Sequence, residues 1–115
     1  MRYAILIYEQ PGASDHADEE QRRAVTAEYM ALRGRDGFVD GGRLQPIESA
    51  TTVRIEDGEA LVTDGPFAAT KEVFAGYFLF DLEDLDSALE VAKLVPAARL
   101  GGSVEVRPLV ELPPR

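Results

Sequence analysis

The chain has 115 residues, 45% of them hydrophobic, and its 12 basic and 21 acidic side chains give a net charge of −9. That length holds one domain around one core, and that apolar fraction excludes a disordered chain. Both halves are acidic, with 7 basic and 11 acidic residues in 1–57 against 5 and 10 in 58–115. Such a balance leaves no basic face for a phosphate backbone, so direct nucleic-acid binding is excluded as a primary role.

No cysteine is present. Disulfides and thiolate metal sites are therefore ruled out, and a reducing cytoplasm suits the chain. No apolar run approaches the roughly 20 residues that a membrane span needs. The opening stretch, Tyr3-Ala4-Ile5-Leu6-Ile7-Tyr8, is apolar at every position and is broken by Glu9 and Pro11. It reads as a central strand covered on both faces, not as a signal peptide. A polar loop follows, from Glu9 to Asp18, and carries the single histidine, His16.

Asp18-Glu19-Glu20 places acids where helix dipoles favour them, and a helix is predicted from there to about Arg33, with Gly34 as its stop. Its apolar face is Val25, Tyr29 and Leu32, flanked by Ala24 and Ala31. Glu28 falls within that face and either reaches to its edge or lines a pocket between helix and sheet. Residues 37–44 form a second strand whose glycines predict a bulge, and Pro46 ends it. Thr51 to Glu56 alternates cleanly, Asp57-Gly58 marks a two-residue turn, and Glu59 to Thr63 returns as a β-hairpin.

Phe74 to Leu82 is an aromatic-rich buried strand, with Gly76 as a point of close approach. Glu83-Asp84 opens a second helix with a stripe of Leu85, Ala88, Leu89, Ala92 and Val95, and Pro96 ends it. A last strand covers residues 103–109, and Pro113-Pro114-Arg115 frays. The order β-α-β, inserted hairpin, β-α-β predicts a single domain over 1–115: a ferredoxin-like βαββαβ α+β sandwich with both helices on one face of an antiparallel sheet. The other face needs a cover, and a second copy of the chain is the simplest one, giving a homodimer.

The stretch Val62-Thr63-Asp64-Gly65-Pro66-Phe67 through Lys71-Glu72 joins the hairpin to the aromatic strand. Taken with Leu44-Gln45-Pro46, residues 84–88, Pro96-Ala97-Ala98-Arg99 and residues 102–108, it resembles the YCII-related family, in the branch named for its Asp-Gly-Pro-Phe motif. The likeness runs from Met1 to Leu109 in five segments of matching order and spacing. It implies a dimeric α+β barrel with a cleft near the sheet. Some relatives are dehydrochlorinase-like or are proposed enzymes with a His-Asp pair, and others are linked to extracytoplasmic-function sigma factors. The histidine of those His-Asp relatives lies in the first helix. Counting back from Gly37, its position falls near Thr26, and the first helix here has no histidine.

Asp64 is the first chemical candidate. Gly65 permits positive φ and Pro66 fixes the next residue, so Asp64 either caps its own turn or presents a carboxylate to a cleft. Acid/base use would require its pKa to rise through burial or through a second acid such as Glu28. Lys71 and Glu72 are either a surface pair or anchors for an anionic or hydroxylated ligand at the cleft rim. Arg43, beside two glycines, is a second anion-binding candidate. Tyr8 and Tyr77 are core or dimer-interface residues first and proton donors second, and Tyr77 is also a candidate ligand contact. No phosphate loop and no serine elbow is present. One histidine with scattered acids makes no transition-metal set, and no cofactor is expected.

The expected function is that of a small-molecule-binding homodimer of the YCII-related type, with a sigma-factor link implied by the resemblance. The alternatives are a small lyase- or isomerase-type enzyme using Asp64 with Glu28 or a tyrosine, and a structural interaction module without a pocket.

Overall fold

A computed structural model describes residues 1–13 and 17–112. His16 and residues 113–115 lie outside that set. Six strands and two helices follow in the order β1 (Arg2–Glu9), α1 (Glu19–Leu32), β2 (Phe38–Arg43), β3 (Thr51–Glu56), β4 (Glu59–Asp64), β5 (Val73–Asp81), α2 (Leu85–Ala92) and β6 (Ser103–Pro108). Short 3-10 turns lie at Ile47–Ser49 and Pro96–Ala98.

The main sheet has the order β2-β5-β1-β6, with every neighbouring pair antiparallel. Once β3 and β4 are set aside, this is the ferredoxin-like βαββαβ arrangement. β1 is central because it is apolar on both faces. Tyr3, Ile5 and Ile7 are buried, while Ala4, Leu6 and Tyr8 alternate with them and stay half-buried on the open side. β5 repeats the pattern, with Phe78 and Phe80 buried and Tyr77 and Leu79 half-buried. The sheet thus meets the helices with one face only.

The core gathers Ile5, Ile7, Phe78 and Phe80 from the sheet, Leu32 from α1, Val91 and Ala92 from α2, and Val95 and Ala97 just beyond it. Ile5 and Phe80 are completely buried, each worth about 1.5–3 kcal/mol relative to exposure. Phe38, Phe78 and Phe80 meet edge to face, with centroids 5.8–6.3 Å apart. That geometry suits ring quadrupoles.

α1 begins with a full capping box: the Asp18 carboxylate accepts from Gln21 N at 2.7 Å, and the Gln21 side chain accepts from Asp18 N at 3.0 Å. α2 starts on Asp84, whose carboxylate accepts from both the backbone N and the hydroxyl of Ser87. The α2 stripe differs from the sequence reading. The buried positions are Ala88, Val91 and Ala92, whereas Leu85 and Leu89 are 49% and 39% exposed. The helix stops after two turns, and its docking face is centred on the residues leading into the buried Val95-Pro96 turn, which rotates the leucines to the margin.

β3 and β4 form a separate two-stranded sheet. Asp57 and Gly58 both have positive φ, 50° and 81°, the left-handed pair that a type I′ hairpin turn demands. Apart from half-buried Thr52, every residue of the hairpin is exposed.

Candidate functional site

Four elements converge on one cavity of about 150 Å³ between α1 and the sheet. β1 contributes Ile7 and its last residue, Glu9. α1 contributes Thr26, Tyr29 and Met30, with Arg33 at its C-cap. Gly42 and Arg43 come from the end of β2, and residues 75–78 from β5. β2 and β5 close up beside the cavity. A Cβ on Gly76 would lie 2.7 Å from the carbonyl oxygen of Gly42, so the strands can meet at this register only through glycine. The register also slips between Phe38 and Asp40, the bulge anticipated from the glycines of this strand.

The cavity is apolar inside and charged at its edge. The Tyr29 and Phe78 rings stack with centroids 6.4 Å apart and planes 22° apart. Arg33 sets its guanidinium 5.1 Å from the Phe38 centroid and donates to the Gly41 carbonyl oxygen at 3.3 Å, so it braces the wall. Arg43 has no hydrogen-bond or ion-pair partner among the described residues. A second, more open groove of about 590 Å³ shares Glu9, Arg43 and Ala75 with the cavity and continues outward between residues 10–13 and 44–48.

Tyr29 joins these parts electrostatically. Burial pushes its phenol pKa up, and the Glu9 carboxylate pushes it further. A backbone hydrogen bond at Ala97 and the charges of Arg43 and Arg99 oppose the rise. The net effect keeps Tyr29 neutral at physiological pH, with its proton available for donation.

The residues singled out in the sequence divide between this site and the surface. Arg43 and Tyr77 line the cavity, and the Tyr77 ring lies against Gly42. Glu28 is exposed and accepts a 2.5 Å hydrogen bond from Arg99, which ties α1 to the turn after α2. Asp64 is exposed at the end of β4, outside the cavity lining. Its motif is fastened through the neighbouring backbone, with Gly65 N donating to Ala50 O at 2.6 Å and the Thr52 hydroxyl donating to Gly65 O at 2.8 Å. Lys71 is exposed. Glu72 makes no ion pair with it and instead accepts from the Ser103 hydroxyl at 2.8 Å. Tyr8 lies on the open sheet face against Phe74, with centroids 5.6 Å apart.

Glu9, Tyr29, Met30 and Arg33 escaped the sequence reading. Tyr29 had a periodicity signal, but as a core position; Glu9 stood at a strand end with no neighbour in sequence to mark it. Thr26 also lines the cavity. Among the described residues no three Asp, Glu or His side chains gather as metal ligands, and no helix is long and apolar enough to cross a membrane.

A ferredoxin-like sheet with a small, apolar, charge-rimmed cleft under its first helix defines an α+β domain of the ferredoxin-like class. The profile of the YCII-related domain matches residues 1–113, and the chain belongs to that family. An uncharacterized protein of Rhizobium meliloti (strain 1021) is 37% identical over 116 residues, covering 95% of this chain and 92% of the relative. Among solved structures, the chain is similar to 5-chloro-2-hydroxyhydroquinone dehydrochlorinase from Burkholderia phenoliruptrix AC1100 in complex with 2,5-dihydroxybenzoquinone. The TM-score is 0.52 at 16% identity, with 96% of this chain and 94% of that one covered. At that identity the likeness is one of fold.

Proposed function

We propose that the protein is a small-molecule-binding homodimer and that its ligand is a compact, flat organic anion. The observation that carries this reading is an unpaired guanidinium, Arg43, at the rim of an apolar cavity walled by the Tyr29–Phe78 stack. A cavity near 150 Å³ matches one six-membered ring. The ring would lie against Phe78 and Met30, its anionic group on Arg43, and a hydroxyl within reach of Glu9 or Tyr29. The solved structural neighbour holds a hydroxylated quinone, a ligand of this size and chemistry. The homodimer is supported by the half-buried apolar face of the sheet opposite the helices.

A thermal-shift screen with benzoate and substituted phenols tests the assignment. Benzoate or a phenolate should stabilise the wild type, and Arg43→Ala should bind it roughly tenfold or more weakly. Asp64→Ala should retain the full shift. Equal stabilisation of Arg43→Ala and wild type would move the site elsewhere.

A second reading is catalytic, and the pairing of Glu9 with Tyr29 in one cavity favours it. Glu9 would take a proton from the bound ligand and the neutral Tyr29 phenol would return one, which is lyase- or isomerase-type chemistry on the same anion. Turnover lost in Glu9→Gln with ligand binding retained is the outcome this reading requires.

A further inference from the structure

The hairpin of β3 and β4 is two-faced. Its cross-strand register places Val53 opposite Val62 and Ile55 opposite Ala60 on one side, with Thr51 opposite Asp64 at the base of that side, and Thr52 opposite Thr63, Arg54 opposite Leu61 and Glu56 opposite Glu59 on the other. Beyond its base the first side is apolar and open to water: Val53 is 60% exposed, Val62 64% and Ile55 66%. None of these residues belongs to the hydrophobic core. A lone two-stranded hairpin is marginal in water, and its apolar face has to be packed to hold it.

The whole chain points the same way. It exposes 8553 Å², whereas a folded monomer of 12.6 kDa exposes about 6,200 Å². Its radius of gyration is 16.3 Å, against about 13 Å for a compact chain of this length. The surplus, roughly 2,300 Å² per chain, is on the scale that obligate homodimers bury.

We infer that the hairpin is a dimer clasp, with its Val53-Ile55-Ala60-Val62 face seated on a second copy of this chain. The inference rests on the homodimer reading above and assigns one of its contact surfaces. A two-fold partner is the occupant because one isologous contact covers two copies of every uncovered surface at once: the hairpin's apolar side and the open sheet face around Leu6, Tyr8 and Leu79. The area to be covered has the size of such an interface. The hairpin springs from residues 44–50 and returns through 65–72, so its base flanks the outer groove of the ligand cleft, which residues 44–48 line. Dimerisation would therefore fix the walls of that groove.

Sedimentation equilibrium at micromolar concentration tests the clasp. The wild type should be a dimer. Ile55→Lys or Val62→Lys should weaken dimerisation by about a hundredfold or more, while Thr63→Lys, on the polar side, should leave it unchanged. Because the native chain has no cysteine, Val53→Cys supplies a second readout on a conservative change. Its thiol should alkylate several-fold more slowly than that of Thr63→Cys in the dimer. A dimeric wild type with Val62→Lys unaffected and equal alkylation rates overturns the clasp and leaves the homodimer standing. A monomeric wild type overturns both.

Discussion

The Tyr29 ring lies 6.4 Å from the Phe78 ring at an interplanar angle of 22°, and this stack joins the first helix to the aromatic strand at the wall of the cleft. Neither residue is near the other in sequence. Their contact makes α1 part of the site, although Leu32 is the only buried residue of α1.

Tyr29 should ionise later than an ordinary phenol. Burial and the Glu9 carboxylate raise its folded-state pKa above the ordinary phenol value. A raised acid holds its proton longer in the folded than in the unfolded chain. Its contribution to stability is therefore complete below about pH 10 and is lost as pH climbs through the folded-state value. Ultraviolet titration at alkaline pH should show a delayed phenolate step that is absent in Tyr29→Phe. Glu9→Gln should bring that step to lower pH.

Gly76→Ala should damage the sheet more than its size suggests. The added methyl would meet the carbonyl oxygen of Gly42 at 2.7 Å, and backbone paired on both sides has little room to shift. A cost of about 1–3 kcal/mol is expected from urea unfolding. Because Gly76 also lines the cavity, the variant should lose ligand stabilisation as well.

Asp84 should shape the acid limb of stability. Hydrogen bonds from the Ser87 backbone N–H, then from its hydroxyl, lower the Asp84 pKa in the folded state. A lowered acid binds protons more readily in the unfolded chain. Its stabilisation is present above the unfolded value near 4 and is lost as pH falls through the folded-state value. Asp84→Asn keeps a capping oxygen without the charge. The wild type should exceed it in stability at pH 7, and the gap should close when both are unfolded in urea below pH 4.

The local chemistry of this chain is written in its sequence. Asp18 and Asp84 are caps because a short carboxylate reaches the free N–H groups of a helix start. Asp57-Gly58 is a turn because it tolerates positive φ, and residues 3–8 form a central strand because both faces are apolar. The ferredoxin-like order of the sheet follows from these elements and their succession. The site does not, because Glu9, Thr26, Tyr29, Arg43 and Gly76 come from four elements with no shared periodicity, and only antiparallel pairing and the docking of α1 bring them together. The sequence drew attention to Asp64, where a carboxylate, a glycine and a proline stand side by side. The tertiary structure leaves that carboxylate on an exposed hairpin end and assembles the cleft elsewhere, because a cavity is made by what packs around it and not by the residues adjacent along the chain.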